Sequence, residues 1–164
     1  MNIRTATIED LQAITAVEAI CFPPEEAALE SDFKKRLSMY PNHFWLLEDD
    51  GKLVGFVNGM VTNESKLSDE MFEDANLHNE NGQWQMIFGV NTIPEYRGQG
   101  CAEKIINKVI ADAKAQGRKG LVLTCKEKLL HYYSKFGFKN EGISESTHGG
   151  AVWYDMLVKS ISIS

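Results

Sequence analysis

The chain has 164 residues, 43% hydrophobic and 24% charged, with a net charge of −6. That length and balance suit one soluble domain with a sizeable core, and the acidic balance argues against nucleic acid, whose phosphates need a basic face. The longest apolar runs, such as Leu53–Val57, are too short to cross a bilayer, and Met1–Asp10 lacks the basic start and apolar stretch of a signal peptide. Three cysteines, Cys21, Cys101 and Cys125, form no CxxC pair, so a reduced, cytoplasmic compartment is expected, with no metal and no membrane partner.

Ile3–Thr5 reads as a first strand. Thr7 with Asp10 three residues on is a capping-box-like start, and Leu11, Ile14, Val17 and Cys21 follow at helical spacing. Phe22-Pro23-Pro24 breaks that helix. Glu25-Glu26 places acidic charge where a second helix would begin, running to about Met39 before Pro41. His43–Glu48 and Leu53–Thr62 read as strands joined by Asp49-Asp50-Gly51-Lys52, a hairpin signal. Asn63–Gly82 is polar, with one short helix near Asp69–Asn76 and His78 reading as a solvated side chain. Gln83–Ile93 reads as one long apolar strand.

From Ala102 to Gln116 the pattern is clearly helical: Ala102, Ile105, Ile106, Val109, Ile110 and Ala113 fall on one face, and Gly117 stops the helix. Gly120–Thr124 reads as a buried strand, Glu127–Phe136 as a helix, and Phe138–Ser144 and Ala151–Val158 as strands around the loop Thr147-His148-Gly149-Gly150. The order β-α-α-β-β-β-α-β-α-β-β is that of a mixed-sheet α/β domain over residues 1–164.

Pro94-Glu95-Tyr96-Arg97-Gly98-Gln99-Gly100-Cys101-Ala102 lies between the long strand and the clearest helix. Gly98 and Gly100 let the backbone approach a ligand, the free N–H groups of the helix start point at it, and Arg97 adds positive charge. A pyrophosphate is the natural guest; the same glycines would also serve a plain tight turn. A Walker A loop would need Gly-Lys-Ser/Thr, and none follows Gly100. A Rossmann fingerprint would need Gly or Ala where Glu103 stands.

These residues resemble motif A of the GNAT acetyltransferase family, in which Arg-x-x-Gly-x-Gly/Ala binds the coenzyme A pyrophosphate. The likeness extends to Ile3-Arg4-Thr5-Ala6-Thr7 with Asp10-Leu11 at the start. It continues in Tyr132-Tyr133-Ser134-Lys135-Phe136-Gly137-Phe138, which is similar to the family's motif B. Cys21-Phe22-Pro23-Pro24-Glu25-Glu26-Ala27-Ala28 and the insert ending near Leu77-His78 resemble the arylalkylamine (serotonin) N-acetyltransferase group. The resemblance implies a central mixed, mostly antiparallel sheet of six to seven strands flanked by about four helices. It implies direct transfer of an acetyl group from acetyl-CoA to a primary amine, with a homodimer as one assembly.

By that resemblance the coenzyme would touch Val90, Asn91, Thr92, Arg97, Gly98, Gln99, Gly100, Cys101, Ala102 and Tyr133. An amide of Val90–Thr92 would hold the oxyanion, and Tyr133 would be the acid at the departing sulfur. Tyr133 also lies on an apolar stripe with Leu129, Leu130 and Phe136, where it would simply be core. Cys101 is either a helix-start thiol or a small apolar filler. The acceptor would lie near Phe22, Glu26 and His148; Glu26 would equally be a helix-start charge and His148 an exposed turn histidine. Animal enzymes of the arylalkylamine group carry two histidines on the central strand. The matching positions are Met86 and Phe88, or Trp84 and Met86 two residues earlier, so the resemblance supplies no base. A protein or peptide acceptor, and an acyl-CoA-binding module without catalysis, are the alternative functions.

Overall fold

A computed structural model describes residues 1–160; the last four residues of the expected 1–164 domain lie outside it. In chain order the elements are β1 (Asn2–Thr5), α1 (Leu11–Cys21), α2 (Glu30–Met39), β2 (Phe44–Asp49), β3 (Lys52–Asn58), β4 (Val61–Thr62) and α3 (Asp69–Glu73). β5 (Trp84–Ile87), β6 (Gly89–Thr92), α4 (Cys101–Ala115), β7 (Gly120–Cys125), α5 (Leu130–Ser134), β8 (Lys139–Ile143) and β9 (Tyr154–Lys159) follow. The Cα framework divides into two compact units. One comprises Met1–Gly59 with Gly89–Val109, and the other Met60–Phe88 with the chain from Ile110 onward.

The first unit is built on an antiparallel sheet ordered β1-β2-β3-β6. The Thr7 N–H donates to Asp10 Oδ2 (2.8 Å), closing the expected capping box at the entry to α1. Asp50 and Gly51 both take positive φ (52° and 82°), the two-residue turn that matches strand twist in the β2–β3 hairpin. Ile14, Phe33, Phe44 and Phe56 are fully buried. Each buried Phe is worth about 1.5–3 kcal/mol over leaving it exposed. Phe33 sits edge-on to both Phe44 and Phe56, with centroids 6.1 and 5.9 Å away.

The second unit holds a sheet ordered β4-β5-β7-β9-β8, in which β5 and β7 run parallel and the other pairs antiparallel. Leu121, Val122, Leu123 and Met156 form its buried centre. Arg118 is buried and donates to the carbonyls of Gly82 (2.7 Å) and Glu80 (3.1 Å) and to Glu80 Oε2 (3.2 Å).

Several boundaries differ from expectation. The seven expected strands appear as nine among the described residues, because two of them break. Gln83–Ile93 breaks at Phe88: β5 bonds to β4 and β7, whereas β6 bonds to β3 in the other sheet. Leu53–Thr62 breaks at Gly59-Met60, where Gly59 N–H turns to the His43 carbonyl (3.2 Å). α2 begins at Glu30 rather than Glu25. The amides of Glu26 and Ala27 fold back on the Pro23 carbonyl (2.9 Å each), and Asp32 then caps the Leu29 N–H (2.9 Å). His78 is no solvated side chain. Its Nδ1 accepts from Val61 N–H (3.0 Å), its Nε2 meets Glu80 Oε1 (2.9 Å), and its side chain is 6% exposed.

Candidate active site

In the first unit, β6 leads through a 3₁₀ turn at Pro94–Tyr96 into the segment Arg97–Gly100 and then α4. Gly98 and Gly100 both take positive φ (76° and 79°), and a Cβ at either would meet nothing within 4 Å. Backbone conformation, rather than crowding, therefore selects glycine, and the space beside it is open to a ligand. The first bond of the helix ladder runs from Lys104 N–H to Gly100 O (3.2 Å), so the ladder leaves the Cys101, Ala102 and Glu103 amides without acceptors. They and the helix dipole face the same end. Cys101 itself is 2% exposed and packs as an apolar filler.

Arg97 is exposed, and its Nε donates to the Thr92 carbonyl (2.9 Å), bracing the turn against the strand before it. Gln99 Nε2 donates to the Glu95 carbonyl (3.1 Å). Cys21 Sγ shares the Thr92 carbonyl with Arg97, at 3.4 Å. Burial pushes the Cys21 thiol above its usual value, and Arg97 and that carbonyl contact work the other way. Nothing in the sequence pattern singled out Cys21 as part of this turn.

The register of β6 decides which of its amides are open. Ile93 N–H donates to Val54 O (2.9 Å), and Phe56 pairs with Asn91. Hydrogen-bonded and non-bonded pairs alternate in an antiparallel ladder, so Asn91 N–H is used by β3 while Val90 and Thr92 turn their backbone groups away from it. β6 is the last strand of its sheet. Asn91 is wholly buried with Oδ1 unpartnered, and its Nδ2 reaches the Phe56 carbonyl at 3.5 Å. Phe22 lies over the same strand, its ring 3.7 Å from where a Cβ on Gly89 would stand. Glu26 is half-buried in the Pro23–Ala27 turn and is not a helix-start charge.

The second unit holds Tyr133 and His148. Tyr133 is 8% exposed, edge-on to Tyr132 (5.1 Å) and Phe138 (6.1 Å). Burial drives its phenol well above the usual value, with Tyr132 and Cys125 adding to the effect. His148 is packed rather than loose: it stacks on Phe72 (5.3 Å, 9°) and faces Trp153 (6.2 Å), whose Nε1 donates to the His148 carbonyl (2.8 Å). Phe72 in turn meets Phe88 (4.6 Å). Asp69 on α3 ties the loop down by accepting from Ser146 Oγ and from Thr147 N–H (3.1 Å). The result is an aromatic wall of Phe72, Phe88, His148 and Trp153. It gathers one predicted residue with three that the sequence had not connected.

The structure thus sets a strand-to-helix turn with amides left open by the helix ladder on a mixed α/β framework. The Acetyltransferase (GNAT) family model matches residues 9–138, and the chain belongs to that family. Human N-acetyltransferase 8B is 27% identical over 126 residues, 73% of this chain and 50% of that protein, so the chain spans about half the length of that curated relative. Two solved structures share the fold. The GphF GNAT-like decarboxylase in complex with isobutyryl-CoA has a TM-score of 0.85 at 20% identity, covering 98% of this chain and 100% of the other. The loading GNATL domain of CurA from Lyngbya majuscula has a TM-score of 0.83 at 17% identity, covering 97% of each. No helix among the described residues is long and apolar enough to cross a membrane.

Proposed function

We propose that the chain is a cytoplasmic N-acetyltransferase that moves the acetyl group of acetyl-CoA directly to a small primary amine, one with an aryl or other apolar body. The observation that carries the coenzyme is the turn Arg97–Ala102, where positive-φ glycines, unused helix-start amides and an exposed guanidinium converge. The pyrophosphate would lie on those amides, with Arg97, Gly98, Gln99, Gly100, Cys101 and Ala102 around it. Val90 or Thr92 N–H, left unused by the ladder, would hold the thioester oxygen as it gains charge.

Tyr133 is the proposed acid. Its raised proton affinity keeps the phenol protonated at neutral pH, so it can donate a hydrogen bond as charge builds on the sulfur. The acceptor side is supported by the aromatic wall around His148 and by Phe22 with Glu26 beside it in sequence: apolar surface and negative charge suit an amine with an apolar body. The family model crosses both compact units, which supports one working domain over 1–164.

The test is release of free thiol from acetyl-CoA across a panel of arylalkylamines, polyamines and peptides, with malonyl-CoA and CO₂ detection alongside. Turnover with small amines supports the proposal. Turnover with peptides alone favours a protein acceptor, CO₂ release a decarboxylase, and coenzyme binding without turnover a non-catalytic module.

A further inference from the structure

The β2–β3 hairpin ends in the two-residue turn Asp50-Gly51, closed by the cross-strand pair Asp49 and Lys52. A turn of that length sets its closing pair directly opposite one another, which limits where the two side chains project. Both reach one ring. Asp49 Oδ2 accepts from the Tyr96 hydroxyl at 2.7 Å, and Lys52 Nζ lies 6.0 Å from the centre of the Tyr96 ring. Tyr96 ends the 3₁₀ turn and is followed at once by Arg97. All of these residues belong to the first compact unit.

The other bonds of this segment are mostly local. The Tyr96 and Arg97 amides turn back on the carbonyls of Ile93 and Pro94 (3.0 and 3.2 Å). The side chains of Arg97 and Gln99 bond to carbonyls five and four residues earlier, and the Cys21 thiol lies beside Arg97. The Tyr96 hydroxyl instead reaches 47 residues back, to the far end of β2. Past Tyr96, Gly98 and Gly100 stand at positive φ with open space beside them, and glycine gives up the most conformational freedom when it is fixed. A non-local tie at the entrance to such a segment reduces the ordering left for a ligand to impose.

A phenol donating to a carboxylate makes a charge-assisted bond, roughly twice as strong as a neutral one. The same contact raises the proton affinity of Tyr96 above its ordinary value, so the donor keeps its proton through the neutral range.

We propose that Asp49 and Tyr96 are positioning residues for the coenzyme: the tip of the β2–β3 hairpin holds the Arg97–Ala102 turn in the conformation that receives the pyrophosphate. This rests on the coenzyme reading above. Both residues act through the backbone of the turn rather than on the ligand. Without their bond the turn spreads over other conformations, and apparent affinity falls with the fraction that stays competent.

The experiment measures acetyl-CoA binding by calorimetry, beside melting temperature, for the parent and six variants. Tyr96→Phe and Asp49→Ala should each weaken binding about tenfold, the lower end of what a hydrogen bond to a charged partner is worth. The variant carrying both changes should bind no more weakly than the weaker single one, because the two act through one bond. Asp49→Asn keeps an acceptor oxygen for the phenol and should recover most of the affinity. Arg4→Ala removes the ion pairs to Asp10 and Glu48 elsewhere in the same unit; it should lower the melting temperature and leave the affinity at the parent's value. Gly100→Asp should not bind. Parent-like affinity in Tyr96→Phe and Asp49→Ala overturns the positioning role alone, as do additive losses in the double variant or an equal loss in Arg4→Ala. A parent that does not bind acetyl-CoA, or a Gly100→Asp variant that binds it as well as the parent, overturns the coenzyme reading and this inference with it.

Discussion

Arg97 Nε and the Thr92 carbonyl lie 2.9 Å apart, so the cation of the Arg97–Ala102 turn is held by the last residue of the strand that precedes it. One edge of the guanidinium is committed to the backbone, with the Cys21 thiol as a further neighbour, and on the proposed reading the rest serves the pyrophosphate. An arginine so placed is pre-organised, because part of its side-chain entropy is already lost before the ligand arrives.

Gly100→Asp and Gly100→Ala separate shape from charge at this turn. With φ at 79° and open space beside it, alanine should cost about 1–2 kcal/mol of local strain without blocking the site. Aspartate adds a carboxylate facing the phosphates. Calorimetry should show mild weakening of acetyl-CoA binding for alanine and near-complete loss for aspartate, with circular dichroism unchanged. Equal affinities in parent and aspartate variant would remove the coenzyme from this turn.

Tyr133→Phe keeps the ring against Phe138 and deletes the hydroxyl. Turnover should fall about 10²–10⁴-fold with little change in coenzyme affinity. Because burial holds the phenol protonated beyond its ordinary range, the parent should show no alkaline loss of activity from Tyr133 near pH 10, where a free phenol would titrate. Full turnover in the variant would make Tyr133 a packing residue.

Cys21 is half-buried, whereas Cys101 and Cys125 are buried. Iodoacetamide should therefore modify Cys21 first, read by peptide mass mapping, and its rate should still be rising above the pH at which an ordinary thiol levels off, since burial raises its proton affinity. Acetyl-CoA on the adjoining Arg97 turn should slow the reaction. Earlier labelling of Cys125 would contradict the packing described for β7.

Asp155→Asn should raise thermal stability at neutral pH. The folded carboxyl has a higher proton affinity than the unfolded one, so its favourable contribution exists below the unfolded value, near about 3.9, and disappears as pH rises through the folded value. The parent thus carries a burden at neutral pH that the amide lacks, and the gap in melting temperature should close in acid. A variant less stable than the parent at neutral pH would show that the carboxylate is a structural anchor.

Local chemistry made much of this legible. Thr7 with Asp10, Asp50-Gly51 and the apolar stripe of α4 each specify their element within a few residues. What failed was pairing at a distance. Nothing near Phe88 says that β5 and β6 belong to different sheets, because that depends on which strands lie beside each half. Glu25-Glu26 looked like a helix start, yet the Pro23 carbonyl captures the next amides and delays α2 to Glu30. Within the site, the Arg97–Ala102 turn was readable because its residues are contiguous. The wall of Phe72, Phe88, His148 and Trp153 was not, since its members come from three separate segments, α3, the β5–β6 break and the β8–β9 loop. Outside it, Asp155 left a trace, a lone carboxylate in an apolar strand, but its burial required the register with Thr124 and Gly142.

The polar stretch between β4 and β5 is moored at both ends. Val61 N–H donates to His78, Asn79 N–H to the Val61 carbonyl (2.7 Å), Gln83 N–H to Asn63 Oδ1 (3.2 Å), and Arg118 holds the Gly82 carbonyl. Between these moorings the chain supplies Phe72 to the wall and Asp69 to the His148 loop. It therefore behaves as a replaceable cassette. Segments of other length or sequence could be spliced between Glu64 and Leu77 with the β4–β5 ladder intact, and each would rebuild the aromatic wall and the anchorage of the His148 loop. On the proposed reading, acceptor preference could then change without any substitution in Arg97–Ala102.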